Sequence, residues 1–402
     1  MSLLSDAGEI APDLVALRRE LHQIPEIGLD LPLTQRTVLS ALDGLPLEVR
    51  TGTALSSVTA VLRGGAVPAG GTRPVVLLRG DMDALPVAEA TGLDYVSKHA
   101  GAMHACGHDL HTAGLVGAAR LLCARRAELP GDVVFMFQPG EEGWDGAGHM
   151  IAEGVLAAAG TPVLGAYGLH VMSSLLPRGV VGSRPGPLMA ASDGLFVTVQ
   201  GAGGHGSRPQ DALDPVQVAC EIVTALQTML TRRIDTFDPV VITVGSFHAG
   251  TRRNIIPDEA TFEATVRTFS PAVRDRVRAY ALSLCEHVAA AHGLRVDARY
   301  EPEYPVTVND AAEHDFAAAT VADLFGADRY QPLPNPVTGA EDFSRILERV
   351  PGAYVFLGAH AGDGDPLEAP PNHSPRAAFD DSVLPDGAAL LAELAVRRLA
   401  RG

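Results

Sequence analysis

The apolar positions of this chain gather into short, unbroken runs: Val75–Leu78, Val133–Phe137, Val163–Leu169 and Ala353–Leu357. Runs without polar alternation suit strands covered on both faces, as in a largely parallel sheet. Leu14, Leu17 and Leu21 recur at near-helical spacing within residues 12–23, and Pro25 ends that pattern. Further helices are expected near 111–126, 312–325 and 384–399. The strands share one property. Val75–Leu78 leads into Asp81 and Asp83, Val133–Phe137 into Glu141 and Glu142, Val163–Leu169 into His170, and Ala353–Leu357 towards the loop carrying His373. In open α/β sheets the functional site lies beyond the carboxyl ends of the strands.

Between residues 186 and 303 the texture changes. Leu195–Gln200 alternates as a strand, Asp214-Pro215-Val216-Gln217 carries helix-start chemistry, and Val240–Phe247 and Ala260–Phe269 read as strands. Ser270-Pro271 opens a second helix that ends near Gly293, and Arg295–Tyr300 is a last strand. The order β-α-β-β-α-β is ferredoxin-like. The expected architecture is therefore α/β. A larger domain with a mostly parallel central sheet spans 1–185 and 304–402, and an inserted ferredoxin-like α+β domain spans 186–303.

The size of 402 residues fits two domains, and 47% hydrophobic with 20% charged residues fits a folded globular chain. A net charge of −17 argues against general affinity for nucleic acid or anionic membrane. The uncharged stretch from Gly154 to Pro177 is long enough for a span, but its Gly, Pro, His and Ser content reads as a buried strand between loops. Cys106, Cys123, Cys220 and Cys285 show no disulfide-like spacing, and Met-Ser-Leu-Leu-Ser-Asp sets no basic region before an apolar run. Both point to a reduced, cytoplasmic setting.

Ala105-Cys106-Gly107-His108-Asp109 places a thiol and an imidazole two residues apart on a turn, a geometry that suits one metal ion. By itself the pair equally suits a packed cysteine and a capping histidine, and His99, His104 and His111 remain open as ligands. In Gln138-Pro139-Gly140-Glu141-Glu142 two adjacent carboxylates repel unless a cation compensates. A solvated acidic turn is the ordinary fate of such a pair. A division of labour, one carboxylate on a metal and its neighbour free as general base, accounts for it better. One Cys, one Glu and three His make a ligand set for two divalent ions about 3.5–4 Å apart, favouring zinc, with manganese, cobalt or nickel open.

Several segments occur in a telling order: Gly80–Pro86, Met103–His111, Gln138–Gly143, Gly168-Leu169-His170, Gly204-His205-Gly206-Ser207, Gly339–Ser344 and His373-Ser374-Pro375. In this the chain resembles the zinc-peptidase-like, metal-dependent amidohydrolases that include hippurate hydrolase, indole-3-acetyl-amino-acid hydrolases and bacterial N-acyl-amino-acid deacylases. The resemblance spans about residues 12–398. It implies hydrolysis of a small N-acyl amino acid or related amide. Cys106, His108, Glu142, His170 and His373 would hold two divalent metals, Glu141 would be the base, and Asp83 would fix ligand geometry. It further implies that the inserted domain is a lid and dimer interface, giving a homodimer or higher oligomer. His205 would polarise the scissile carbonyl, and Asn254 and Arg267 would contact the substrate.

Gly201, Gly203 and Gly206 spell G-x-G-x-x-G, but Ser207-Arg208-Pro209 continues the loop where a dinucleotide site needs a helix to open. Trp144-Asp145 and Met172-Ser173-Ser174 depart from the family pattern at places that could border the acyl pocket, which leaves substrate choice open.

Overall fold

Every residue of the Val75–Asp81, Asp132–Gln138 and Gly352–Gly358 strands is buried, as their unbroken apolar runs require. The structure, a computed structural model, describes residues 2–67 and 73–401. It divides into two units: Met1–Leu188 with Val308–Asn335 and Arg345–Gly402, and Met189–Thr307 with Pro336–Ser344. The short Pro336–Ser344 segment thus joins the second unit, whereas the sequence pattern assigns it to the larger domain.

The first unit is built on an eight-stranded sheet in the order Leu47–Thr51, Val58–Leu62, Asp132–Gln138, Val75–Asp81, Gly165–Met172, Gly352–Gly358, Val181–Ser183, Tyr330–Pro332. Its four central strands, from Asp132–Gln138 to Gly352–Gly358, are mutually parallel, so their carboxyl ends share one edge. Antiparallel pairs flank them on both sides, which makes the sheet mixed but mostly parallel. Helices Leu3–Gln23, His108–Ala124 and Leu384–Arg401 pack together against it and enclose the main core. Asp310 caps the Ala311–Phe325 helix by accepting from the N–H groups of Ala312 and Glu313.

Three local details differ from the sequence pattern. The first helix begins at Leu3 and runs through Pro12, because Ser2 supplies a cap to the Ser5 N–H and tertiary packing holds the helix across the proline. A helix at Pro32–Leu42, started by Pro at its first position, escapes periodicity. The third central strand runs from Gly165 to Met172, so His170 lies inside it rather than past its end. No helix of the described residues is long and apolar enough to cross a membrane.

The second unit holds an antiparallel sheet in the order Val240–Ala249, Glu259–Thr268, Ala191–Gln200, Arg295–Tyr304. Helices Pro215–Arg233 and Pro271–Ala291 lie on it and bury a separate core around Leu195, Ile222, Phe262 and Val277. Connectivity and strand order are those of the ferredoxin-like β-α-β-β-α-β arrangement. The first helix opens at Pro215, where Asp214 accepts from the Val216 N–H, well beyond Gly206.

Asp132 starts the strand that delivers the glutamate pair. Its buried carboxylate accepts from Gly64 N at 3.1 Å, Arg63 Nη1 at 2.9 Å and Arg73 Nε at 3.0 Å. Burial pushes its pKa up, but the Arg73 and Arg63 hydrogen bonds outweigh that and hold it below the usual carboxylate range. A lowered folded-state pKa contributes stability above the unfolded value of about 4, and that stability fades as pH falls through the folded value. Asp132→Asn should therefore cost about 1–3 kcal/mol at pH 7 in a denaturant titration. The gap from wild type should narrow below about pH 4, whereas a gap independent of pH would refute the ionic account.

Candidate metal centre

One edge of the central sheet gathers the ionisable side chains. Asp83, just past the Val75–Asp81 strand, accepts the Glu141 N–H on Oδ1 at 3.0 Å and the Glu142 N–H on Oδ2 at 3.1 Å. Its backbone carbonyl accepts from His108 Nδ1 at 2.9 Å, which assigns the His108 proton to Nδ1 and turns Nε2 inward as a lone pair. His108 opens the His108–Ala124 helix, preceded by Gly107 at φ +84°. A Cβ at Gly107 would lie 2.4 Å from Val171 Cγ2, so only glycine allows this turn to approach the neighbouring strand.

The five expected ligands come together. Cys106 Sγ lies 3.4 Å from His170 Nε2, whose ring donates from Nδ1 to the Val171 carbonyl at 2.8 Å. Glu142 Oε1 lies 3.1 Å from His373 Nε2 and 4.0 Å from His108 Nε2. Cys106 belongs to two candidate donor groups, one with His108 and His170, the other with Glu142 and His373. Glu141 shares a third group with His108 and Glu142. Buried His108 Nε2 makes no hydrogen bond, and Glu142 Oε1 faces it at 4.0 Å, so a divalent cation would satisfy both. Cys106 and then Glu142 push the His373 imidazole up to about 10. Burial would lower His108, yet Asp81, Cys106 and Asp83 together raise the ring's pKa. A field that favours positive charge here suits a metal, and the thiol–imidazole–carboxylate set fits zinc or a neighbouring transition metal.

The other histidines divide clearly. His111 donates from Nδ1 to Asp81 at 2.5 Å and accepts the Val171 N–H on Nε2 at 2.8 Å, so both its nitrogens are committed. The buried Arg79 guanidinium holds the other Asp81 oxygen at 2.5 Å. His99 is tied to the Pro25 carbonyl. Burial pushes His104 down to about 3, and neither His99 nor His104 joins a candidate donor group among the described residues.

Asn372 is a residue that sequence reasoning passes over. Its amide donates to the carbonyls of Cys106 at 3.2 Å and Val171 at 3.0 Å, and accepts from Ser173 N at 3.0 Å. It thereby sets His373, at φ +72°, against the Cys106 turn. Ser173 is buried in this strut and also donates to the Pro370 carbonyl, so it does not border a pocket.

His205, Asn254 and Arg267 belong to the second unit. Exposed His205 pairs with Ile255, and Gly206 N donates to the Asn254 carbonyl, so His205 and Asn254 share one loop cluster. His205 Nδ1 accepts the Ser207 N–H at 3.2 Å, which leaves the ring proton on Nε2. Arg267 bonds Ser192 Oγ and Thr265 Oγ1 near the other end of the sheet. Eight residues of strand, about 27 Å, separate it from Glu259 beside that loop, so one small carboxylate cannot touch both Asn254 and Arg267 within one subunit.

A mostly parallel sheet whose carboxyl edge gathers sulfur, imidazole and carboxylate donors able to hold metal fits a metal-dependent hydrolase. The chain belongs to Peptidase family M20/M25/M40, whose model matches residues 77–397. It is 36% identical to Thermostable carboxypeptidase 1 of Saccharolobus solfataricus, covering 98% of each chain. It is 36% identical to the IAA-amino acid hydrolase ILR1-like 5 of Arabidopsis thaliana, over 96% of this chain and 86% of that one. A Bacillus subtilis structure described as a dinuclear metal binding peptidase from the M20 family superposes with a TM-score of 0.82 at 32% identity, covering 98% of this chain and 99% of that one.

Gly107→Ala should force the Cys106–His108 turn away from Val171. Metal affinity measured by competition with a chromophoric chelator should fall about 10-fold or more. Undiminished affinity would show that the close approach at Gly107 does not shape the ligand set.

Proposed function

We propose that this protein hydrolyses the amide bond of N-acyl amino acids, with two divalent ions held by Cys106, His108, Glu142, His170 and His373. The observation that carries the reading is the way Asp83 aims two adjacent glutamates. Glu142 reaches His373 and His108, while Glu141 stands beside them as general base. Zinc is the favoured metal, with manganese, cobalt and nickel as competitors.

Divalent ions bound there would bring the pKa of a water towards neutrality and polarise the amide carbonyl. Glu141 takes the proton of that water as its oxygen adds to the carbonyl carbon, then gives it to the nitrogen as the C–N bond breaks. The products are a carboxylic acid and a free amino acid. His205, with its proton on Nε2, is the donor for the developing oxyanion. Asn254 and Arg267 are separate candidates for the amino-acid end. Residues 186–303 are proposed as lid and dimerisation domain. The outer edge of the Val240–Ala249 strand, unpaired among the described residues, supports a homodimer or higher oligomer. Four free cysteines support a cytoplasmic setting.

Peptide hydrolysis on the same centre is the second reading, favoured by the carboxypeptidase relative. Relative kcat/KM on N-acetyl, N-benzoyl and dipeptide substrates separates the two.

Glu141→Gln should lower kcat by about 10²–10⁴ while bound metal, measured by mass spectrometry, stays at the wild-type level. Near-wild-type turnover in the metal-loaded variant would remove Glu141 from the base role. Chelation should abolish turnover, and add-back of zinc, manganese, cobalt and nickel in separate samples should restore it to different extents. Full activity in rigorously metal-free protein would contradict the proposal.

A further inference from the structure

We propose that the Trp144 indole forms an aromatic wall beside the catalytic turn and selects amino acids whose N-acyl group is flat and aromatic. This rests on the amidohydrolase reading above. Trp144 follows Glu142 by two residues, so its backbone starts within about 7 Å of a proposed ligand. It is the only tryptophan of the chain, and it is left 51% exposed.

The ring is held in place. A Cβ at Gly28 would lie 3.1 Å from the indole Cε2, so the ring rests directly on a bare backbone that sits at φ +83°. The next residue, Asp145, adopts the left-handed conformation at φ +53°, which aspartate tolerates better than most residues. Arg345 anchors the turn there, with Nε and Nη2 on the two Asp145 carboxylate oxygens at 3.0 and 3.1 Å. Ile27, 39% exposed, precedes Gly28 on the same loop. That loop is tied to the Asp83 segment by the Ala84 N–H, which donates to the Glu26 carbonyl at 2.8 Å. The uncovered ring and Ile27 therefore stand on the two loops that also position Asp83, Glu141 and Glu142.

An N-acyl amino acid has one anionic end and one acyl end. The electron-rich face of an indole repels a carboxylate and stacks well with a flat ring. The acyl end is thus the part of the substrate that covers Trp144.

The test compares kcat/KM for N-benzoyl-alanine and N-acetyl-alanine in metal-loaded wild type, Trp144→Phe and Trp144→Ala. The benzoyl-to-acetyl ratio should fall about 10-fold in Trp144→Ala, mainly through KM, and recover largely in Trp144→Phe. In parallel, titrating N-benzoyl-alanine into Glu141→Gln should shift the emission of the single tryptophan, with saturation followed by calorimetry. An unchanged ratio, or saturation without a spectral shift, overturns the proposal. If wild type hydrolyses no N-acyl amino acid, the amidohydrolase reading fails on its own account. The emission titration then still decides whether an aromatic acyl group lies on Trp144.

Discussion

Asp83 is the residue on which the centre turns. Its two carboxylate oxygens take the backbone N–H groups of Glu141 and Glu142, and its carbonyl takes the His108 ring proton. One side chain and one peptide group thereby fix the backbones of the proposed base and carboxylate ligand and the tautomer of the His108 ring. Two neighbouring glutamates on an untethered turn would splay apart under their mutual repulsion. Fixing both backbones from one side confines that repulsion to a defined volume, where a bound cation would remove it.

A second buried layer supports the first. Arg79 and His111 grip the two oxygens of Asp81, and His111 receives the N–H of Val171, the residue after His170. Burial pushes the Asp81 carboxyl up, but Arg79, His108 and His111 together hold it well below its ordinary range. Arg18 and His22 likewise grip Asp109 from the Leu3–Gln23 helix, at 2.9 and 2.7 Å. The residues that follow His108 and His170 are thus anchored in a dry interior, Asp109 by charge-assisted bonds and Val171 through the His111 ring, where such bonds are strong and misplacement is costly. Precision at the ligand atoms comes from this layer.

The central strands were legible because parallel strands buried on both faces must be continuously apolar, and their carboxyl ends could then be searched for ligands. The ferredoxin-like unit was legible from alternation and from two Pro-started helices. Bonds that join distant segments left no local trace. Asn372 reaches Val171 across 201 residues and looks like an ordinary turn asparagine in sequence. His111 stood open as a ligand because its two bonds, to Asp81 and to the Val171 N–H, exist only after folding. Pro12 reads as a helix boundary, yet it lies inside a helix whose buried face, from Leu3 to Leu21, outweighs one missing hydrogen bond.

The same contrast separates chemistry from selectivity. Cys106, His108 and His170 are buried, each bound to a partner on another strand or turn, so a change at any of them disturbs several segments at once. Trp144 is half-exposed and rests on glycine backbone, and its indole takes no part in the Asp83 and Arg345 bonds. A turn built this way can exchange one side chain without moving the glutamates it carries. The buried donor cluster and the half-exposed indole beside it are in this way under independent structural constraints.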